Sequence, residues 1–502
     1  MATAPSSRPG PDLEERHGYS LGQKVGLVLG PVLFLLISLF FRPANLSKEG
    51  VAALAATAWI AAWWVTEALP FAATSLLPMI LFPALGLGSV KDVLAPYADP
   101  TIFLFLGGFV IAVAIERWHL HRRIALGIIN RVGTGPRRLV LGFMLATGGI
   151  SVFISNSATA MMMLPIGLAV VKQISELQGT TGEGGEVPRT NFAALIMLAI
   201  AYAASIGGVG SVIGSPPNAI MVGMASKAAG VEITFLDYML VGLPVALVYT
   251  FVAWWIMLKI MPPESTEIPG SREFIRQQLA ALGPMTREER RVLVVFAITA
   301  LLWIIYPFVL KGVIPGIGDT MVAIFGALLL FLIPTGRRRG QFLLDEKAFA
   351  KIPWGVLLLF GAGFSIASVF ESTGVAEWLA GYLAALEGVH YFVVVLAVAT
   401  MLVFLTEITS NSAIATIFMP IMASLGAALG VSPVALMMVA ALGSTLAFMM
   451  PVGTPPNAIA FSTGYVTMQQ MIKVGFFLNL ASIITITLFG YFWIPLIWAR
   501  FM

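Results

Sequence analysis

The chain has no cysteine in 502 residues. That excludes disulfides, thiolate metal sites and thiol nucleophiles. Histidine is nearly as scarce: His17, His119, His121 and His390 are the whole supply, and all four lie near or beyond the ends of apolar runs. Charged residues make up 11% of the chain, against about 25% in a soluble domain. No intramembrane His/Asp or Ser/His set exists, so an acid–base or nucleophilic enzyme is not expected. The loops are too short for a soluble receptor domain. The net charge of +4 does not mark a nucleic-acid partner. The basic residues fall between apolar runs, where the positive-inside rule accounts for them.

What remains is hydrophobic: 58% of the residues. Apolar segments fall at about 25–41, 50–66, 70–86, 101–116, 139–174, 191–228, 236–262, 291–310, 319–334, 354–370, 390–426, 432–463 and 475–498. A span needs roughly 20 apolar residues, so the chain reads as an all-α polytopic membrane protein in a lipid bilayer. The N-terminal run ends in Phe40-Phe41-Arg42 without a small-residue cleavage pattern. Residues 1–20 therefore read as a disordered cytoplasmic tail and 21–46 as a retained first helix. Trp59, Trp63, Trp64, Trp254, Trp255, Trp493 and Trp498 are expected mostly in the interfacial belt.

Four segments are too long for one span. Runs 139–174 and 390–426 each carry a Ser-Asn-Ser near the middle, at Ser155-Asn156-Ser157 and Ser410-Asn411-Ser412. Each reads as a re-entrant hairpin with a polar tip. Runs 191–228 and 432–463 are broken at Ser215-Pro216-Pro217-Asn218 and Thr454-Pro455-Pro456-Asn457. Non-helical backbone at such depth is tolerated only where it is buried in protein or lines a wet cavity.

The spacing repeats. Glu116 to Asn156 and Glu371 to Asn411 both span 40 residues. The next interval is longer in the first half by the hydrophilic stretch Glu176–Arg189. The chain thus divides into a first repeat, 47–262, a cytoplasmic linker, 263–289, and a second repeat, 290–499. About eleven spans and two hairpins are expected.

With the N-terminus in the cytoplasm, only Arg42, Lys48, Lys91, Lys227, Lys311 and Arg500 of the 29 Lys and Arg fall outside. Each half then has an odd number of spans, which makes the repeat inverted. Residues 119–133 read as a helix in the cytoplasmic interface, 374–388 as its counterpart outside, and Ser271 as a helix N-cap.

Paired helix breaks in corresponding places of two hydrophobic halves point to a transporter's binding site. The motifs supply hydroxyls, amides, carbonyls and half-helix N-termini, and no Lys, Arg or His. Helix N-termini suit anions, and unwound carbonyls with side-chain oxygens suit Na⁺. An Asn amide serves both, donating to a carboxylate and accepting a cation. Glu407, close to the second tip, has Phe153 as its counterpart and reads as structural support. Glu67, at a span end, reads as an interface or interdomain contact.

These tips and breaks, with Gly108-Phe109 and Gly363-Phe364 in the spans before them, resemble the divalent anion/sodium symporters over nearly the whole chain from about residue 21. The family's usual tip is Ser-Asn-Thr; Ser157 and Ser412 stand in the Thr places, keeping the hydroxyl and losing a methyl. The resemblance implies a sodium site from Ser151, Ser155, Asn156 and the backbone near Gly214. It implies a second from Thr406, Ser410, Asn411 and the backbone near Gly453. Substrate carboxylates would meet Asn156, Ser157, Ser215, Asn411, Ser412 and Thr454, with Pro455 alongside.

It further implies a homodimer in the inner (plasma) membrane, with a scaffold domain from segments near 50–86 and 291–334. A transport domain would move past that scaffold like an elevator. The expected function is sodium-coupled transport of C4-dicarboxylates such as succinate, malate or fumarate, with sodium as coupling ion and no organic cofactor. Sodium-independent dicarboxylate exchange, and citrate or sulfate as substrate, stay open.

Overall fold

The computed structural model describes residues 19–133, 135–177, 188–265, 270–314, 316–336, 340–383 and 388–501. Most of the N-terminal tail and of the inserted loop, and part of the segment 374–388, lie outside the described residues. Among those described, the structure is helical, with one isolated β-bridge between Pro334 and Phe342.

Nine described helices are long and apolar enough to cross a membrane: Leu21–Phe40, Val90–Arg117, Asn156–Glu176, Asn191–Gly208, Phe235–Ile260, Arg287–Val309, Trp354–Ser372, Asn411–Ala428 and Met468–Ile497. Shorter apolar helices lie at Asp319–Leu332, Tyr391–Leu405 and Pro433–Thr445, and a shorter apolar helical stretch at Phe71–Ala84. The outer faces are apolar. Val28, Leu35 and Leu39 of the first helix, Phe251 and Trp255, and Leu301 and Phe308 are all exposed. Such surface belongs in hydrocarbon, and the chain is a multi-pass membrane protein.

Local chemistry sets the ends. Capping boxes open five of the described helices, at Ser20–Gln23, Ser89–Asp92, Thr234–Asp237, Thr286–Glu289 and Thr467–Gln470. The helix Ser271–Ala281 departs from the sequence expectation: Gly270, left-handed at φ 80°, is its N-cap, and Ser271 is already helical. Run 70–86 is not one rod but Phe71–Thr74 and Leu77–Ala84. Ser75 Oγ donates back to Phe71 O at 2.7 Å, and Pro78 cannot donate to a continuing ladder. Two tryptophans leave the expected belt: Trp64 and Trp498 are buried, and Trp498 Nε1 donates to Asp237 O at 3.0 Å.

Two helices form the centre. Every residue from Phe192 to Gly208 is buried, and every residue from Val434 to Thr445. A helix apolar on all sides belongs inside protein. Both end at the breaks, and against them lie the helix pairs Pro136–Ser151 with Asn156–Leu177 and Tyr391–Leu405 with Asn411–Ala428. The second helix of each pair carries an internal proline, Pro165 and Pro420.

Candidate functional site

Each break is braced by the Asn of its Pro-Pro-Asn. Asn218 Nδ2 donates to Gly208 O at 2.8 Å and Ser211 O at 2.7 Å. Asn457 Nδ2 donates to Ala447 O and Met450 O, both at 3.1 Å. In both halves the acceptors lie ten and seven residues upstream. Carbonyls released by the end of one half-helix are thereby partly satisfied by the first turn of the next.

The two tips build two nests of oxygens. One terminal atom of the Asn156 amide lies 2.9 Å from Ser151 Oγ, 3.0 Å from Ala204 O and 3.1 Å from Gly214 O. One terminal atom of Asn411 lies 2.7 Å from Thr406 Oγ1 and 3.2 Å from both Ser444 O and Gly453 O. The hydroxyls are pinned: Ser151 donates to Ala204 O at 2.7 Å and Thr406 to Ser444 O at 2.9 Å.

The amide can sit in such a nest in two ways. With NH₂ inward it donates to the carbonyls. With Oδ1 inward, four oxygens face one another, and a cation is what balances them. Close approach makes this possible. A Cβ on Gly208 would stand 2.2 Å from Asn156 Oδ1, and one on Gly214 would stand 2.4 Å from Gly208 O.

Both tips and both breaks face one cavity of about 550 Å³. Asn156, Ser157, Ser215, Asn411, Ser412, Thr454 and Pro455 all line it, as do Ser155, Ser410, Gly214 and Gly453. Ser151 and Thr406 lie behind the wall, fully buried. Ser155 and Ser410 take no part in the two nests. Thr454 Oγ1 accepts from Asn457 N–H at 3.3 Å as an N-cap, while Ser215 makes no such bond. Four helices begin at the cavity, at Asn156, Pro216, Asn411 and Pro455. Each N-terminus carries about half a positive charge.

The opposite wall was not legible as part of the site. Other elements supply the lining residues Glu67, Phe71, Phe105, Phe109, Pro353 and Val356, which we take as the wall facing the tips. The carbonyls of Ala204 and Ser444 were missed as well, since main-chain oxygens leave no mark in the side-chain pattern. Glu407 has a definite place. Its Oε1 accepts from Phe448 N–H (2.6 Å), Met449 N–H (2.9 Å) and Asn479 Nδ2 (2.7 Å), and its Oε2 from Met450 N–H (3.0 Å). It anchors the second break. At its first-half counterpart, Phe153 packs edge-on against Phe296, and Ser211 Oγ instead ties that break to Val152 O.

The transmembrane region of sodium:sulfate symporters matches residues 22–499. The sodium-dependent dicarboxylate transporter SdcS of Staphylococcus saprophyticus is 46% identical over 486 residues, 96% of this chain and 93% of that protein. SdcS of Staphylococcus aureus is 43% identical over 488 residues, 96% of this chain and 94% of its own. The YdaH transporter of Alcanivorax borkumensis has a similar fold, with a TM-score of 0.55 at 14% identity, covering 95% of this chain and 99% of that one. The chain belongs to the divalent anion/sodium symporter family, and it is a membrane transporter, not an enzyme.

Proposed function

We propose that the protein is a secondary active transporter that carries C4-dicarboxylates such as succinate, malate or fumarate together with sodium. The observation that carries this reading is the pair of oxygen nests at Asn156 and Asn411 on the rim of one cavity. The name of the SdcS relatives, sodium-dependent dicarboxylate transporter, supports it.

A C4-dicarboxylate holds about two negative charges at neutral pH. No Lys, Arg or His lines the cavity. Partial helix charges do not offset a dianion in a poorly solvated site by themselves. One sodium ion per nest supplies the balance. Ser151, Asn156 and the Gly214 carbonyl would hold the first; Thr406, Asn411 and the Gly453 carbonyl the second. Ser155 and Ser410 are close enough in sequence to complete these sets. Sodium turns each Asn Oδ1 inward, and the amide NH₂ then faces the cavity as a donor. Ser157, Ser412, Ser215 and Thr454 add hydroxyls, and Pro455 shapes the wall. Ion and anion thus share one side chain in each half, which makes their binding reciprocal.

The finer architecture is part of the same reading: about eleven spans, two re-entrant hairpins in an inverted repeat, a cytoplasmic N-terminus and a homodimer in the plasma membrane. The tips and breaks would move as one body past a scaffold that includes Glu67 and Phe71. Uptake of labelled succinate into proteoliposomes tests the function. Uptake should follow an inward sodium gradient without internal dicarboxylate; uptake only against internal dicarboxylate, indifferent to sodium, would make the protein an exchanger.

A further inference from the structure

Glu67 is the one ionisable side chain among the described residues that line the cavity. It closes the helix Lys48–Thr66 as its C-cap, in the left-handed conformation at φ 49° and ψ 37°. That backbone is uncommon for a residue with a Cβ, and residues so held cluster at functional sites. The main chain is fixed there on two sides. Glu67 N–H bonds to the end of its own helix, and Gln23 Nε2, from the preceding helix, donates to Glu67 O at 3.2 Å. The carboxylate is exposed, and among the described residues it has no hydrogen-bond or ion-pair partner.

The wall around it is apolar, with Phe71, Phe105 and Phe109. A helix C-terminus adds partial negative charge to the same spot. The cavity is therefore polarised. Four helix N-termini and two candidate cation sites border it from the tips and breaks, and Glu67 brings a full negative charge to it from a separate helix end.

We infer that Glu67 sets an upper limit on the charge of the transported anion. The inference rests on the dicarboxylate reading above. A dianion has both carboxylates engaged at the tips and its apolar middle toward the opposite wall. A third carboxylate must point toward that wall, where Glu67 repels it. At the width of such a cavity, one extra like charge in a medium of intermediate dielectric changes affinity by about tenfold. Glu67 is thus a specificity residue that favours dianions over trianions, and it needs no contact with the substrate to act.

The test compares the wild type with Glu67→Gln and Glu67→Asp in proteoliposomes with saturating sodium, at a mildly alkaline pH where citrate is a trianion. Citrate inhibition of labelled succinate uptake is measured beside unlabelled succinate inhibition. Glu67→Gln should strengthen citrate relative to succinate by about tenfold, and Glu67→Asp should stay near the wild-type ratio. Should Glu67→Gln be lost on extraction, Glu67→Ser removes the same charge from a smaller side chain. An unchanged citrate-to-succinate ratio in the charge-free variants, with or without a lower melting temperature, makes Glu67 a helix cap only and overturns the inference. Absence of sodium-driven succinate uptake in the wild type instead overturns the dicarboxylate reading.

Discussion

Ser151 Oγ stands 2.9 Å from a terminal atom of the Asn156 amide, five residues further along the chain, and passes its proton to Ala204 O at 2.7 Å. Thr406 repeats the arrangement with Asn411 and Ser444 O, at 2.7 and 2.9 Å. A hydroxyl whose proton is committed elsewhere presents its lone pair to the nest. Ser151→Ala and Thr406→Ala should each weaken sodium binding by about five- to tenfold, the worth of one lost polar ligand. The sodium dependence of succinate uptake would show it as a rightward shift in either variant. A shift in one variant and none in the other would mean that only one nest binds sodium.

Asn156 and Asn411 are expected to serve ion and anion at once. Asn156→Ala or Asn411→Ala should abolish transport while the protein stays folded and extractable. Asn156→Asp divides the two roles, because a carboxylate keeps its oxygens and loses both N–H donors. It should retain a sodium-dependent rise in melting temperature and lose the further rise caused by succinate. If Asn156→Asp transports at the wild-type rate, the amide does not contact the anion.

Glu407 anchors the second break through three successive backbone N–H groups and Asn479. Glu407→Ala would leave those donors buried without an acceptor, at a cost on the order of 3 kcal/mol or more. A large fall in melting temperature with loss of transport is expected. Glu407→Gln keeps one acceptor oxygen but turns an NH₂ toward other donors, so an intermediate fall is expected. A Glu407→Ala protein as stable as the wild type would contradict this anchoring role.

Much of this was legible in the sequence where polar residues interrupt apolar runs. Asn156, Asn411, Asn218 and Asn457 stand out because nothing else in those runs is polar at that spacing. Glu67 did not, because a carboxylate at the end of an apolar run looks the same whether it meets lipid headgroups or a cavity. Phe105 and Phe109 are hidden for the opposite reason, since an aromatic residue in an apolar run gives no sign of which face it lines. Ala204 and Ser444 act through main-chain carbonyls, to which the side-chain pattern is blind. The two short helices at 71–84 escaped because a run of apolar residues records hydrophobicity and not the turn between Thr74 and Leu77.

The orientation of the halves can be read by labelling, since the absence of cysteine gives a clean background. A cysteine at Gly340 should react with an impermeant maleimide only from the cytoplasmic side, and one at Gly388 only from outside. Both positions have open space for a side chain, and each glycine's left-handed φ (79° and 89°) makes a cysteine there cost some backbone strain. Labelling of both from the same side would exclude the inverted topology.

The coupling of ion to anion is tested most directly by calorimetric titration of succinate into the purified protein in sodium and in choline. In sodium, tight binding is expected, with an affinity that rises steeply and cooperatively with sodium concentration and is not restored by potassium. By linkage, succinate should tighten sodium binding by the same factor. Equal succinate affinity in sodium and in choline would contradict the two-nest account and leave exchange without sodium as the better description.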